Sequence, residues 1–212
     1  MSTADTRIVS GSVTAILPLF LLEAVHAHDR PDEILEDEDL TVSLPRRLGL
    51  TGVIDTQKRR YESAVKSGKK VSLDEFASLV RLVLKRPDAE AILRDTGHRM
   101  ANHYFRRVPD GYIKLLRALP HRLLLSRWLN AARRLLRQMG GEQVEADNRP
   151  VALRLSPAPL AKLEPAGVTC VMYAAALEQL GELWATNRPT VEHPVCAGLT
   201  GGDVCEWKLE GI

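Results

Sequence analysis

All three cysteines of this 212-residue chain lie in its last forty-odd residues, together with a histidine at metal-ligand spacing. They are Cys170, then His193 and Cys196 in VEHPVC, then Cys205 in GGDVCEW. Three sulfurs and one imidazole complete a tetrahedral shell for Zn²⁺ and leave no position for water or substrate. Such a shell is structural, and it requires chain segments distant in sequence to meet at one point. Two other readings stay open on the residues alone. Cysteine is often a small buried hydrophobe. A disulfide with one odd thiol is the remaining possibility. MSTADTRIVSGSV has no basic region leading straight into an apolar stretch, and AILPLFLLEAV is broken by Pro18, so no secretory signal is expected. A cytoplasmic location and reduced thiols follow from that expectation. The pair His193–Cys196 and the turn GLTGG before Cys205 resemble a zinc knuckle.

Charge and composition exclude several function classes. The formal net charge is +2, so bulk charge names no polyanion partner. The signs are segregated: residues 29–39 are acidic, and 94–137 are rich in arginine. Aromatic residues make up only 5% of the chain, which argues against a base-stacking platform and specific nucleic-acid binding. No apolar run reaches the ~18 residues that span a bilayer, so the chain is not expected to be transmembrane. No G-x-G-x-x-G follows a strand, and Gly68-Lys69-Lys70 lacks the upstream glycine and the Ser/Thr of a P-loop. No nucleophile–base pair can be placed by spacing, so no catalytic residue is assigned.

Hydrophobic periodicity gives the organisation. Residues 1–11 read as disordered, 12–27 as an apolar helix, and 29–39 as a solvated acidic stretch. Residues 1–45 therefore form an N-terminal helical extension, with one domain from 46 to 212. Helical spacing continues over 53–67, with Gly68 as the residue past its end. Ser72 and Glu75 form a capping box opening a helix that should run to Arg86. Asp88 caps the next helix, to about Arg107. Helices over 111–118 and 120–138 follow, with Pro120 as first helical residue of the second. The period then changes to two. Residues 142–147 and 151–155 form a hairpin around Asn148-Arg149-Pro150, 170–186 form a helix, and 189–195 and 203–210 are final strands joined by the glycine turn. The expected fold class is α+β: helices packed on one antiparallel sheet, a helical N-terminal two-thirds and a C-terminal ββαββ unit.

The order Cys170, His193, Cys196, Gly201-Gly202-Asp203, Cys205-Glu206-Trp207 resembles the 4-vinyl reductase domain. That domain belongs to a superfamily of ligand-binding domains found in nitric-oxide signalling and Golgi transport. The detailed match covers residues 170–212, and DTGHRMANHYF resembles the small-residue helix of that fold. The resemblance implies a usually dimeric α/β sandwich with an apolar pocket, and zinc held by three cysteines and a carboxylate. His193 stands where the glutamate would align, with Glu192 beside it. On a strand the two point to opposite faces, so only one can be the ligand without a bulge. The implied function is non-catalytic binding of a small hydrophobic or tetrapyrrole-like ligand by a sensor or carrier, with a structural zinc site. An enzyme or accessory protein of tetrapyrrole or bacteriochlorophyll metabolism is the alternative, and a structural protein-interaction module a further one. His98, His103, Tyr104 and Trp128 are the candidate ligand-binding residues, because small residues (Gly97, Ala101, Ala118, Ala131, Ala132) share their helices and leave room between them.

Overall fold

The computed structural model describes residues 11–29, 53–109, 111, 113, 120–164, 166–184 and 189–211. The expected disorder over 1–10, the acidic stretch beyond Asp29 and most of the helix over 111–118 lie outside the described residues. The described part is α+β, with the helical portion first and the C-terminal strands last.

The N-terminal helix differs from expectation. Ser12–Thr14 is a strand, β1, and helix α1 spans Ile16–His28. β1 pairs antiparallel with β2 (Lys70–Ser72), with Val13 opposite Val71. Val13 and Thr14 are β-branched and find a partner strand, which outweighs the helical pattern that follows them. This pair is a second sheet beside the expected one. Helix α1 is apolar nearly all round and buried on most sides, as a core helix must be. Seven of its residues belong to the main core cluster.

Helix α2 (Val53–Lys66) ends as its sequence predicts. Gly68 has φ +64°, its N–H donates to the Val65 carbonyl at 3.1 Å, and the Lys69 N–H donates to the Ala64 carbonyl at 2.9 Å. This paired closure satisfies carbonyls that the helix leaves orphaned. Helix α3 (Leu73–Val83) opens with the Glu75 N–H donating to Ser72 Oγ at 3.2 Å. The reciprocal half of the capping box is not formed. Instead the Glu75 carboxylate accepts from the Tyr61 hydroxyl at 2.6 Å and from Arg60 at 3.0 Å, which ties α2 to α3. Helix α3 also stops short of Arg86, whose guanidinium binds Asp88 at 2.9 Å and Asp29 at 2.6 Å. Asp88 precedes helix α4 (Ala89–Phe105) but makes no side-chain cap, because Arg86 holds its carboxylate. Helix α5 covers His121–Gln138, with Pro120 one position earlier than expected, at the cap.

The C-terminal unit has the expected order. β3 (Gln143–Asn148) and β4 (Val151–Ser156) form the hairpin. A 3₁₀ turn over Pro159–Lys162 leads to helix α6 (Cys170–Trp184). β5 (Thr190–Val195) and β6 (Cys205–Glu210) follow, joined by a short helix α7 (Ala197–Thr200) as well as the glycine turn. The sheet order is β3-β4-β6-β5, antiparallel throughout. One face carries Val144, Leu153, Leu155, Cys205, Trp207 and Leu209, all buried. α6 packs near this sheet through Tyr173, whose ring lies 5.5 Å from Trp207. The other face carries charge, with Arg154 bridging Glu206 at 2.5 Å and Asp147 at 2.8 Å.

α4 and α6 cross in closer contact than any other helix pair described. Gly97 is the reason: a Cβ there would lie 2.2 Å from the Met172 carbonyl oxygen and 3.0 Å from the Ala176 nitrogen. Gly97, one of the small residues expected to leave space among the helices of 94–137, brings two backbones together instead.

Candidate metal centre

Four chain segments deliver the cluster. Cys170 is the first residue of α6, and its N–H donates to the Gly167 carbonyl at 2.9 Å. The preceding Thr169 is buried, and its hydroxyl donates to the Leu160 carbonyl at 2.9 Å, fixing the helix start on the 3₁₀ turn. Cys196 leads into α7, where its carbonyl accepts from the Thr200 N–H at 2.9 Å. Cys205 begins β6 opposite Leu155. His193 comes from the edge strand β5.

These residues meet. Cys170 Sγ lies 3.7 Å from Cys196 Sγ and 3.7 Å from Cys205 Sγ. One ligand atom from each of Cys170, His193, Cys196 and Cys205 falls within 4.8 Å of the others, so the four can hold a metal ion. In a tetrahedral site with bonds of about 2.3 Å, sulfurs are spaced about 3.8 Å apart, whereas a disulfide needs about 2.05 Å. All three cysteines are free and buried. The disulfide reading has no support in this geometry.

The choice between Glu192 and His193 follows from the alternation of strand β5. Glu192 opposes Lys208, while Val195 opposes Glu206, so β5 carries one extra residue between these pairs. His193 lies on the Trp207 face, its ring stacked on the indole at 5.0 Å and 11°. Its Nε2 is buried with no hydrogen-bond partner. An orphaned buried imidazole nitrogen beside three thiols fits a ligand, since burial without a partner is costly. Glu192 is exposed and opposes Lys208 on β6, outside the cluster.

The electrostatics divide the thiols. Cys205 is held well below the ordinary thiol range, first by the hydrogen bond from Cys170, then by His193 and the Ala197 N–H, which lies 3.3 Å from its sulfur; burial opposes them. Cys170 is pushed up, first because it donates to Cys205 and then by burial. One thiolate is thus already favoured at Cys205, and a bound cation would favour the others.

Gly167 also shapes the centre, though nothing in its sequence context singled it out. Its φ is +73°, and a Cβ there would lie 2.8 Å from Cys196 Sγ. The signal was a glycine three residues before Cys170, which is common in loops and carries no ligand chemistry of its own.

The expected ligand-binding residues do not form one constellation. Trp128 is fully buried in the core. His103 is edge-on to Phe20 at 5.5 Å, and its pKa is lowered first by burial, then by the charges of Arg107 and Arg106. His98 is partly buried on the same helix. Tyr104 does line a depression of about 470 Å³, with Arg107, Val108, Pro109, Arg134 and Gln138. Another depression, of about 410 Å³, lies beside Tyr61, Lys69 and Lys70. Among the described residues no helix is long and apolar enough to cross a membrane. No family model, curated protein or solved structure matches this chain.

Proposed function

We propose that this chain is a non-catalytic small-molecule-binding module, similar to the 4-vinyl reductase domain, whose C-terminal unit is clamped by a structural zinc ion. The observation that carries this reading is the convergence of Cys170, His193, Cys196 and Cys205 at one buried point. Three thiolates and an imidazole favour Zn²⁺ over hard cations, which take oxygen ligands. The donor set is closed, so the metal would cross-link and neutralise rather than activate water. Its ligands come from the start of α6 and from both strands that follow, so metal affinity becomes stability of the ββαββ unit. The place for a small molecule is then the depression beside Tyr104, outside the metal centre.

Two measurements test this. Elemental analysis of the purified chain should give about one zinc per chain. Cys196→Ser should lower metal content and melting temperature together, by roughly 6–12 °C for a loss of about 3 kcal/mol. Unchanged stability with the metal lost would remove the clamp. A thermal-shift screen of porphyrins, phenols and aliphatic acids should find a ligand binding below about 100 μM and weakened by Tyr104→Ala. A screen without such a ligand leaves the interaction-module reading in its place.

A further inference from the structure

The depression at the end of α4 has a specific chemistry. Among the described residues it is lined by Tyr104, Arg107, Val108, Pro109, Arg134 and Gln138. Two of these described residues are arginines, brought together from α4's C-terminal end and from α5, and none of them is a carboxylate. Five other arginines of the described residues have anionic partners. Arg60 pairs with Glu75, Arg86 with Asp29 and Asp88, Arg94 with Glu90 and Glu178, Arg99 with Glu23 and Asp95, and Arg154 with Asp147 and Glu206. Arg107 and Arg134 have no ion pair among the described residues.

A cation after the last turn of a helix is favoured by the helix dipole, which accounts for Arg107 on its own. It does not account for Arg134, which lies within α5 and faces the same depression. Two guanidiniums sharing one concavity repel each other unless an anion lies between them. The positive field there already reaches a neighbour: after burial, the charges of Arg107 and Arg106 hold His103 down. Beside the arginines are an apolar wall, Val108 and Pro109, an aromatic ring, Tyr104, and an amide, Gln138. The volume of about 470 Å³ suits a compound of one or two rings.

We propose that this depression binds an organic oxyanion, a carboxylate or phosphate monoester carrying an aromatic or alkyl body. Arg107 and Arg134 take the head group, and Tyr104, Val108 and Pro109 take the body. Guanidinium forks match planar and tetrahedral oxyanions alike. This rests on the small-molecule reading above and names the ligand class for it.

Four probes separate the terms: 1-naphthyl phosphate, 1-naphthoate, 1-naphthol and inorganic phosphate, titrated calorimetrically into the full chain. Both naphthyl anions should bind, with 1-naphthol and inorganic phosphate each at least about tenfold weaker. The tighter of the two anions identifies the head group as phosphate or carboxylate. Arg107→Gln and Arg134→Gln should each weaken the anions about tenfold, and the double variant should reduce them to the level of 1-naphthol. Both side chains are exposed, so these variants should keep the parent melting temperature. Arg137→Gln, on the same helix but outside the lining, should change binding less than about twofold. Anion binding should weaken from 50 to 300 mM salt. The proposal is overturned if 1-naphthol binds as tightly as the anions, if the double variant binds them unchanged, or if neither anion binds at about 1 mM. Tight binding of 1-naphthol would remove the oxyanion and keep the small-molecule reading. That reading falls separately, on an empty screen of the porphyrins, phenols and aliphatic acids named above.

Discussion

A pair of glycine variants tests the metal centre without touching a ligand. Gly167 and Gly68 both have positive φ, +73° and +64°. Alanine in the left-handed region costs about 1–2 kcal/mol, and reduced freedom of the unfolded chain offsets about 0.4–1 of that. Both variants therefore share a backbone cost of about 1 kcal/mol. They differ in what the methyl meets. At Gly68 nothing lies within 4 Å. At Gly167 the new Cβ falls 2.8 Å from Cys196 Sγ. Ordinary contact needs about 3.5–4.0 Å, so the sulfur must move by about 1 Å. Metal sites tolerate ligand displacements of about 0.2 Å. Gly68→Ala should therefore lower the melting temperature by about 2–4 °C and leave metal affinity intact. Gly167→Ala should lower metal affinity at least tenfold, the scale on which residues supporting a metal site act, and destabilise by about 3 kcal/mol in all. Competition with a chromophoric chelator measures the first quantity and urea titration the second. Equal metal affinity in the two variants would refute the argument, because the sulfur at position 196 would then not need its present place.

Gly97→Ala should destabilise by about 2 kcal/mol despite the better helix propensity of alanine, since the methyl meets α6 backbone at 2.2 Å and backbone cannot swing aside; a urea midpoint at or above that of the parent would show that the crossing is looser than described. His103 gives a pH dependence. Its folded pKa lies below the ordinary 6.5, so the unfolded chain binds a proton more readily and stability falls as pH drops below about 6.5 toward the folded value. Melting temperatures measured from pH 5 to pH 8 should rise less steeply in His103→Gln than in the parent, and parallel curves would count against the burial of that ring.

Local signals were read correctly where the physics is local. The glycine past α2, the Ser72 cap of α3 and the change of period from helices to strands each depend on a few neighbouring residues. So did the four-residue donor set, because ligand chemistry is a property of residue type. What failed in local terms failed for tertiary reasons. Ser12–Thr14 joined a strand because Lys70–Ser72 offers it a partner some sixty residues away. Glu75 left its capping box for Tyr61 and Arg60, and Asp88 left its cap for Arg86.

The sequence by itself determined that the C-terminal unit contains three thiols and an imidazole, that helices precede strands, and that the glycine at position 68 closes helix α2. Only the tertiary structure decided which side chains meet. The pairing of Glu192 with Lys208 put His193 rather than Glu192 on the side of the sulfurs. The crossing at Gly97 brought the backbones of α4 and α6 together, at one of the small residues that had pointed to a cavity among the helices of 94–137. The ends of α4 and α5 then brought Arg107 and Arg134 to one depression. Periodicity reports which face of an element is apolar, but register, bulges and helix crossings are set by contacts between residues far apart in the chain, and those contacts fix the centre and the groove.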